Sequence, residues 1–359
     1  MKAFPILRLC AVLAMVVNIA SAQEVFSPSP VQPDLTPGYV LVDGDIQVPL
    51  EVYTRMTSGG IHAAGTFGPA NYWSNNVVPF DFVTTGAGAV SAENQTAAIN
   101  AMNAIAERAG VIFRPATSRD ADRIRFQNSQ FNNSPIGRRG GAQIINISAW
   151  DRQMIICHEI FHSLGFQHEQ SRPDRDIYVT INVNNICGAG AGVGCPPGPN
   201  PGQCCDCVNA DGDCISCAHN FAIRMDADTY GPYDFDSFMH YGRDYFSCNG
   251  GDTIVVNSPW RDYWQSRIGQ RNHFSRLDAL TCRALYPFPN DRWLDRDYTG
   301  TARGTFSQPF RHTSLATALA NVPVDGTLLV KHGNSYAGVG TYDRPVTIIA
   351  PDGDVDFGD

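Results

Sequence analysis

The sequence predicts an α+β fold in which a sheet packs on two helices and an irregular part follows. Three observations lead to this prediction. Short apolar runs of strand type occupy the first half of the chain, and two stretches have the three- and four-residue apolar spacing of helices. Beyond His168 both patterns are sparse until a helix predicted at about Ser275 to Ala284. A short β-rich segment is predicted after Pro287.

The first 22 residues have the pattern of a secretory signal peptide. Lys2 and Arg8 supply a positive region, Leu9 to Ile19 an apolar stretch, and Ala20-Ser21-Ala22 a small-residue cleavage site. The apolar stretch is too short to span a bilayer, and no later segment approaches about 18 apolar residues in a row. We therefore predict a secreted, extracellular protein without a membrane span.

Four elements are predicted ahead of the centre of the chain. Apolar and β-branched residues indicate the strands, and three- and four-residue spacing indicates the helix. In chain order they are a strand beginning at Trp73, a helix from Ala97 to Arg108, a strand from Ile124 to Phe126, and a strand in GGAQIINIS, residues 140–148. The last strand leads into a second helix.

The second helix carries the motif HEIFHSLGFQH, residues 158–168. Ser148 and Asp151 are predicted to form a capping pair just upstream. Apolar residues recur at helical steps and predict one buried stripe beside the motif: Met154, Cys157, Phe161 and Leu164.

The histidines and the glutamate of this motif predict a catalytic zinc site. His158 and His162 are four residues apart, so both imidazoles lie on one helix face within reach of one Zn²⁺. Glu159 lies on an adjacent face, where it can hold and deprotonate a water at the metal. Gly165 can adopt a positive φ and end the helix, so that the chain turns back and His168 supplies a third nitrogen. Three protein ligands leave a position for water, which is typical of catalytic zinc.

The alternative is that the motif arises by chance among core histidines. An HExxH string alone is only suggestive, because it occurs accidentally in unrelated proteins. The glycine and the third histidine at fixed spacing reduce that risk by roughly a thousandfold. The residues therefore favour a zinc hydrolase.

A second motif, SFMHYG, follows from Ser237 to Gly242. The extended zinc motif followed by a methionine turn is the metzincin signature, and from Trp73 to Tyr286 the chain resembles the astacin family of metalloendopeptidases. SRPDRDIYVTIN after Glu169, IGRRGGAQ and IGQRNHFSRLD also resemble family segments. The resemblance implies a two-lobed zinc protease with a twisted mixed sheet, an active-site helix and an irregular C-terminal lobe. Extended protein or peptide substrate would pair with an edge strand.

The resemblance also assigns roles to three further residues. Met239 would form a hydrophobic floor under the metal. Tyr241 would ligate resting zinc and then swing away to hydrogen-bond the developing oxyanion, although a lone half-buried tyrosine in a turn is the ordinary alternative. Glu169 would lie behind the ligands, near the buried new N-terminus of the mature enzyme. His240 matches no ligand of the family.

Residues 23–63 have few apolar runs and are predicted to be a propeptide. Within them LVDGDI, from Leu41 to Ile46, resembles the astacin pro-segment motif in which an aspartate caps the zinc. The resemblance maps that zymogen switch onto Asp45. Val42 stands where the family usually has an aromatic residue, and a plain Asp-Gly turn is the alternative. Cleavage between about Arg55 and Ala64 would activate the enzyme.

The cysteines fit an oxidising compartment. The chain has 11, and the loss of Cys10 with the signal leaves an even number. Seven crowd the Gly- and Pro-rich insertion at 187–217, where disulfides are predicted and a second zinc site is the alternative; they are Cys187, Cys195, Cys204, Cys205, Cys207, Cys214 and Cys217. Cys248 would join this group. Cys157 and Cys282 remain, as a predicted bond or as two buried thiols.

Two departures from the family pattern concern the ends of the catalytic domain. Astacins usually have a cysteine at the end of the first helix, where this chain has Gly110. From 288 to 359 the chain resembles the opening turns of a right-handed parallel β-helix, with GTLLV and PVTI as recurring strands. About seventy residues are too few for a stable solenoid, which needs at least three stacked repeats. The segment either caps the protease or begins a longer module.

The formal charge of −9 becomes −11 when Lys2 and Arg8 leave with the signal. No basic patch is visible, so nucleic acid is not an expected partner. The predicted function is a secreted, zinc-dependent endopeptidase made as a latent precursor. The alternative is a carbohydrate- or surface-binding protein that uses the β-helix-like segment, with the protease domain, 64–287, as scaffold. The retained Glu159 favours the enzyme.

Many astacins favour an acidic residue directly after the cleaved bond, held by a basic side chain. Arg243, Arg267 and Arg271 are the candidates here, since arginine binds a carboxylate through two parallel hydrogen bonds. The alternative is that all three are ordinary surface arginines.

Overall fold

The computed structural model describes residues 39–49, 72–188, 217–224, 227–306, 308–312, 314–331, 335–336, 345–350 and 355–357. The predicted signal peptide, most of the propeptide, the activation stretch and the interior of the cysteine-rich insertion lie outside these residues. No helix within them is long and apolar enough to cross a membrane.

A four-stranded sheet forms the base of the first lobe. Its strands are β3 (Val77–Phe82), β4 (Ile112–Pro115), β5 (Arg123–Asn128) and β7 (Ala142–Ile147). They lie in the order β4-β3-β5-β7, and every pairing among them is parallel. An antiparallel bridge between Asn133 and Asn146 joins β7 to the chain just before β6 (Ser134–Pro135). The resemblance implies a sheet with both parallel and antiparallel pairing, and among the described residues of this sheet the antiparallel pairing occurs only in this bridge at the β7 edge.

Two helices pack against this sheet and enclose the main core. α1 (Ala92–Ala106) begins at Ser91, whose side chain accepts from the Asn94 N–H, several residues before the predicted start. α2 (Gln153–Leu164) carries the zinc motif. The core joins buried residues of both helices to the sheet, with Ile105, Ile124, Ile145, Ile156 and Ile160 fully buried. Burial of this apolar surface holds α2 in place.

The start of α2 differs from the prediction. The helix begins after Arg152, whose side chain does not cap it. The Ser148 N–H instead donates to Oδ1 of Asn132 over 2.8 Å. The predicted capping pair of Ser148 and Asp151 is therefore wrong, and tertiary packing rather than a local cap sets the start of the helix.

A second lobe follows, with short elements. β8 (Val179–Ile181) pairs antiparallel with β9 (Ile254–Val256). The helices α3 (Arg261–Trp264) and α4 (Arg276–Leu285) come next, and Ser275 begins α4 through a capping box with Asp278. Tyr241, Phe221 and Ile254 lie in the buried cluster of this lobe.

The N-terminal segment crosses the edge of the first lobe. β1 (Tyr39–Val42) and β2 (Ile46–Pro49) form an antiparallel hairpin. β2 also pairs in parallel with β6, with Ile46 opposite Ser134 and Gln47 opposite Pro135. The Asp43–Gly44 turn between the two strands has positive φ at both residues. This pairing fixes the position of the turn and of Asp45 beside it.

The C-terminal segment packs on α4. β10 (Asp291–Leu294), β11 (Thr327–Val330) and β13 (Thr347–Ile349) form a parallel sheet, and α5 (Leu315–Ala320) precedes β11. β12 (Ser335–Tyr336) and β14 (Asp356–Phe357) pair in parallel as well. Trp293 and Leu329 share a buried cluster with Ala284 of α4. This segment and the protease part therefore share apolar surface.

The cysteines follow the prediction in one place and depart from it in another. Cys187 and Cys248 are joined by a disulfide, and Cys217 is also disulfide-bonded. Cys157 and Cys282 are both buried free thiols, so the predicted bond between them is wrong. The Cys157 thiol lies against the Ala101 carbonyl oxygen of α1, 3.7 Å away, and burial raises its pKa to about 12.

Gly110 lies where astacins usually have a cysteine, and here the backbone makes the contact directly. Its N–H donates to the Tyr286 carbonyl over 2.7 Å, so the end of the first helix region meets the end of α4. A Cβ at this position would lie 2.1 Å from the Pro287 carbonyl oxygen. Only glycine permits so close an approach of two backbones.

We therefore expect Gly110→Ala to destabilise the protein by about 1–3 kcal/mol, the range for forcing an added methyl into a packed site. Urea denaturation followed by tryptophan fluorescence measures this. Gly300→Ala is the matched control, because its Cβ would meet only the outer end of the Tyr298 side chain. Equal midpoints for the two variants would contradict the assigned contact.

Candidate metal centre

The end of α2 brings two of the three predicted histidine ligands together. His158 and His162 lie one turn apart, and their Nε2 atoms are 3.1 Å from each other. Two buried side chains hold the last carbonyls of the helix: Trp73 Nε1 donates to Ser163 O over 2.9 Å, and the Tyr286 hydroxyl donates to Leu164 O over 2.6 Å. These bonds fix the final turn, where carbonyl groups otherwise lack partners.

Gly165 ends the helix and redirects the chain, as predicted. It adopts φ 109°, a left-handed conformation that favours glycine. Its N–H donates to His162 O over 2.9 Å, and the next N–H, from Phe166, donates to Phe161 O over 3.0 Å. The reversed chain then places Nε2 of His168 3.3 Å from Nε2 of His158.

The hydrogen bonds of the rings aim their lone pairs inward. His158 Nδ1 lies 3.0 Å from Phe238 O, and His162 Nδ1 lies 2.8 Å from Phe166 O. A carbonyl oxygen only accepts, so Nδ1 of each neutral ring carries the proton and Nε2 is the bare acceptor. Burial, and then the charge of Arg271, hold the pKa of His158 well below its usual value. Two facing lone pairs at 3.1 Å repel unless a cation lies between them.

Asp45 completes a set of four donors. Its Oδ2 is 3.2 Å from His158 Nε2, and its Oδ1 is 3.2 Å from His168 Nε2 and 3.6 Å from His162 Nε2. All four ligand atoms lie within 4.8 Å of one another. Zinc bonds of about 2.0–2.1 Å in a tetrahedron separate neighbouring ligand atoms by about 3.3 Å. Nitrogen and carboxylate donors at this spacing fit Zn²⁺.

Glu159 lies beside this cluster without joining it. Its side chain is buried, and within the described residues its Oε2 has no hydrogen-bond partner. Burial, and next the charge of Asp45, raise its pKa well above the usual value. A buried carboxylate oxygen with no protein partner is suited to binding a water or a substrate proton.

Tyr241 lies next to His168, with ring centroids 4.5 Å apart. Its hydroxyl donates to the backbone carbonyl of Asp43 in the N-terminal segment. Burial, followed by the charges of Asp45 and Asp43, raises its pKa well above the usual value, so the phenol keeps its proton. In this state the hydroxyl is held by the N-terminal segment.

Met239 and Glu169 link the two lobes behind the histidines. Met239 is buried in the same cluster as Phe161, and its carbonyl accepts the Glu169 N–H over 3.1 Å. Glu169 accepts from Arg172 over 3.1 Å and from the Asp234 N–H over 2.8 Å. Burial raises the pKa of Glu169 to about 8. A small cavity lies against Glu169, Asp234 and Met239.

The three arginines proposed for substrate selection have different surroundings. Arg271 donates to His240 O over 2.9 Å, and its charge contributes to lowering the pKa of His158. Arg243 lies 3.5 Å from Asp252, and Arg267 stacks on the ring of Tyr263 at 4.0 Å.

An ion pair between Asp43 and Arg224 lies at the same site, and the sequence did not predict it. The DGD string that holds Asp43 also contains Asp45, so the only available signal was the position of Asp43 two residues before the proposed switch. Nothing in the sequence around Arg224 indicates its partner.

Comparison with known proteins gives one family match. The sequence model of the peptidase family described as Astacin matches residues 66–190 and 216–287, more than half of the chain. High choriolytic enzyme 1 of Oryzias latipes is 37% identical over 155 residues, which are 43% of this chain and 46% of that protein. Zinc metalloproteinase nas-14 of Caenorhabditis elegans is 32% identical over 226 residues, 61% of this chain and 38% of that protein.

The solved structures that this chain resembles include one that is also similar in sequence. It is high choriolytic enzyme 1, a hatching enzyme zinc-protease from Oryzias latipes, with 32% identity and a TM-score of 0.47, covering 62% of this chain and 96% of that one. The chain spans about half the length of the curated choriolytic enzymes that it matches.

Proposed function

Because the chain belongs to the astacin family of zinc metallopeptidases, we propose that it is a secreted endopeptidase, made as a latent precursor, that hydrolyses peptide bonds in proteins. One observation carries this proposal. Three histidine Nε2 atoms converge beside a buried glutamate whose Oε2 has no hydrogen-bond partner in the described part of the chain. A purely structural zinc site would not need such a carboxylate.

The proposed chemistry divides the work among five residues. His158, His162 and His168 hold Zn²⁺, which when bound polarises the peptide carbonyl and makes a nearby water more acidic. Glu159 takes the proton of the attacking water and passes it to the leaving amine. Tyr241, once released from the Asp43 carbonyl, donates its hydroxyl to the oxyanion of the tetrahedral intermediate. The buried setting strengthens each of these interactions.

Latency follows from where Asp45 lies. Its carboxylate sits within 3.2–3.6 Å of the three Nε2 atoms, so it fills the position that water needs. The same segment holds the Tyr241 hydroxyl and covers the edge strand β6. While this segment stays in place, it occupies the water position, the Tyr241 hydroxyl and strand β6 at the same time. Removal of residues 23–63 after loss of the signal, 1–22, would release all three.

The proposed mature domain spans 64–287. Its new N-terminus would carry an ammonium group to the buried Glu169, whose raised pKa reflects burial without enough compensating positive charge. The cavity against Glu169 and Asp234 offers room for it. N-terminal sequencing of the active enzyme tests where the mature domain begins, and a start well upstream of Arg55 would count against the proposed start.

The proposal also covers the location of the protein and the fold of its C-terminal segment. The disulfide of Cys187 and Cys248 suits an oxidising compartment. For 288–359 we propose the first turns of a parallel β-helix, supported by the parallel pairing of β10, β11 and β13. Because its Trp293 packs with Ala284 of the protease part, this segment also covers α4.

The function is tested by digestion of casein or gelatin with protein trimmed of its propeptide, with and without a zinc chelator. We expect cleavage that the chelator stops and that added Zn²⁺ restores. Cleavage that survives complete removal of the metal, or no cleavage by zinc-loaded protein, would overturn the proposed activity.

For Tyr241→Phe we expect zinc to remain bound and KM to change little, while kcat falls by roughly a hundredfold, the usual effect of losing one oxyanion donor. Steady-state kinetics with a fluorogenic peptide measure it. Tyr245→Phe is the matched control, a neighbouring tyrosine whose ring lies 5.3 Å from that of Tyr241. A kcat within twofold of wild type would make Tyr241 a packing residue.

A further inference from the structure

Helix α4 is joined to the metal centre at both of its ends. Near its N-terminus Asp278 accepts from Ser237 Oγ over 2.6 Å and from the Phe238 N–H over 3.1 Å. The carbonyl of the same Phe238 lies 3.0 Å from Nδ1 of His158, so one residue connects α4 to a metal ligand. Just after α4, the Tyr286 hydroxyl donates to the last carbonyl of the zinc helix α2 over 2.6 Å. The position of α4 therefore affects both the turn under the metal and the helix that carries two of the ligands.

The C-terminal segment binds the second half of α4 through a buried ion pair. Arg283 donates from Nε to Oδ2 of Asp291 over 2.6 Å and from Nη2 to Oδ1 over 2.5 Å. The same Nη2 donates to Thr327 Oγ1 over 2.8 Å, so one side chain of α4 contacts the first residues of β10 and β11. The side chains of Arg283 and Asp291 are 17% and 2% exposed. Loss of either one leaves the other charge buried without its partner.

Apolar contacts accompany this ion pair. Trp293 of β10 and Leu329 of β11 share a buried cluster with Ala284 of α4. Phe306, farther along the segment, packs edge-to-face against Trp293 with ring centroids 4.7 Å apart. It packs in the same way against Tyr230 of the second lobe, at 4.5 Å. The C-terminal segment therefore contacts the protease part both through α4 and through the second lobe.

We propose that the C-terminal segment, from Asp291 to Val330, is a positioning element of the metal centre that acts through α4 on the turn of residues 237–242. None of its described residues belongs to the four metal donors, so it acts only through the residues between. The unit that holds the metal then extends beyond Pro287, the proposed end of the protease domain. This inference rests on the proposed zinc site, and not on the choice of substrate or on cleavage itself.

The physical reason is that α4 is too short to hold its own position. It has 10 residues, a length at which an isolated helix is marginal in water, so packing against neighbours decides where it lies. The C-terminal segment supplies a large part of that packing. Groups that orient the ligands of a metal typically change its affinity by about tenfold to a hundredfold when they are altered. Because this segment acts from farther away, we expect an effect of about tenfold, at the lower end of that range.

The test compares Asp291→Asn with Asp295→Asn in the full-length precursor. Both aspartates belong to the C-terminal segment, but Asp291 pairs with Arg283 of α4, whereas Asp295 pairs with Lys331 of the segment itself over 3.3 Å. Hydrogen exchange of the metal-free proteins is followed by mass spectrometry in the peptide that contains residues 237–241. We expect exchange there to be about tenfold faster in Asp291→Asn than in wild type, and unchanged in Asp295→Asn.

A second measurement reports on the metal site directly. The Zn²⁺ affinity of each protein is determined by competition with a chromophoric chelator, under conditions where the protein is fully folded, so that lower stability alone leaves the affinity unchanged. We expect the Kd for Zn²⁺ to rise about tenfold in Asp291→Asn and to stay within about twofold of wild type in Asp295→Asn. Neither measurement uses a substrate, so a chain that cleaves no peptide would still decide the proposal.

Unchanged exchange at 237–241 in Asp291→Asn would overturn the proposal, and so would an unchanged Zn²⁺ affinity. Equal effects of Asp291→Asn and Asp295→Asn would also overturn it, because they would indicate general weakening of the segment. If Asp291→Asn fails to fold, Trp293→Phe replaces it. This variant keeps an aromatic ring, and Trp293 Nε1 has no hydrogen-bond partner to lose among the described residues. We then expect both quantities to change by about threefold, and wild-type values would refute the positioning role.

Discussion

Glu159→Ala protein is expected to keep its zinc and to lose peptide hydrolysis, with kcat lowered by about a thousandfold or more, within the range for loss of a general acid–base group. The orientation of two of the Nε2 donors does not depend on Glu159, because Phe238 O and Phe166 O hold the rings of His158 and His162. Metal analysis of the purified protein and a peptide cleavage assay report the two properties separately.

His162→Ala provides the contrasting result. Loss of a ligand should remove the metal and lower the stability of the domain together, since metal binding contributes to the stability of the folded state. Glu107→Ala is the control for Glu159, because its side chain is 75% exposed at the end of α1. An active Glu159→Ala enzyme would refute the assignment of the base, whatever its zinc content.

The zinc helix was predictable because its chemistry is local. His158, Glu159, His162 and His168 lie within eleven consecutive residues, so helix geometry and one glycine determine how their side chains converge. The positive φ of Gly165 agrees with that reasoning. The order and parallel pairing of the strands were not predictable in the same way, because no local sequence pattern indicates which strands are neighbours in the sheet.

Contacts between residues far apart in the sequence could be predicted only from a resemblance to a known family, or else were found only in the structure. Asp45 lies 113 residues from His158, and only the likeness of LVDGDI to a known motif indicated their contact. Asp43 and Arg224, 181 residues apart, had no such signal. The predicted Cys157–Cys282 bond was wrong because these two residues are also far apart in the sequence. They were paired because they remained after the other cysteines had been grouped, and a count of cysteines does not show which thiols lie close together.

Asp45→Ala is expected to convert a silent precursor into one with measurable activity. In the wild-type precursor the carboxylate lies among three histidine nitrogens, and removing one member of a buried charged contact typically costs 2–5 kcal/mol or about thirtyfold or more in affinity. The segment should then leave the cleft more often, although β2 still pairs with β6. Peptide cleavage by intact precursor, with chain length verified by mass spectrometry before and after the assay, measures the effect.

The Gln47→Ala precursor distinguishes two effects: loss of the carboxylate that blocks the metal site, and weaker docking of the N-terminal segment as a whole. Gln47 is buried two residues after Asp45 and donates to Asn133 at the edge of the sheet, so its loss weakens docking without touching the histidines. We expect the Gln47→Ala precursor to stay far less active than the Asp45→Ala precursor, because the carboxylate still fills the place of the attacking water. Equal activation of both would assign latency to coverage of the cleft alone, and an Asp45→Ala precursor as silent as wild type would remove Asp45 from the switch.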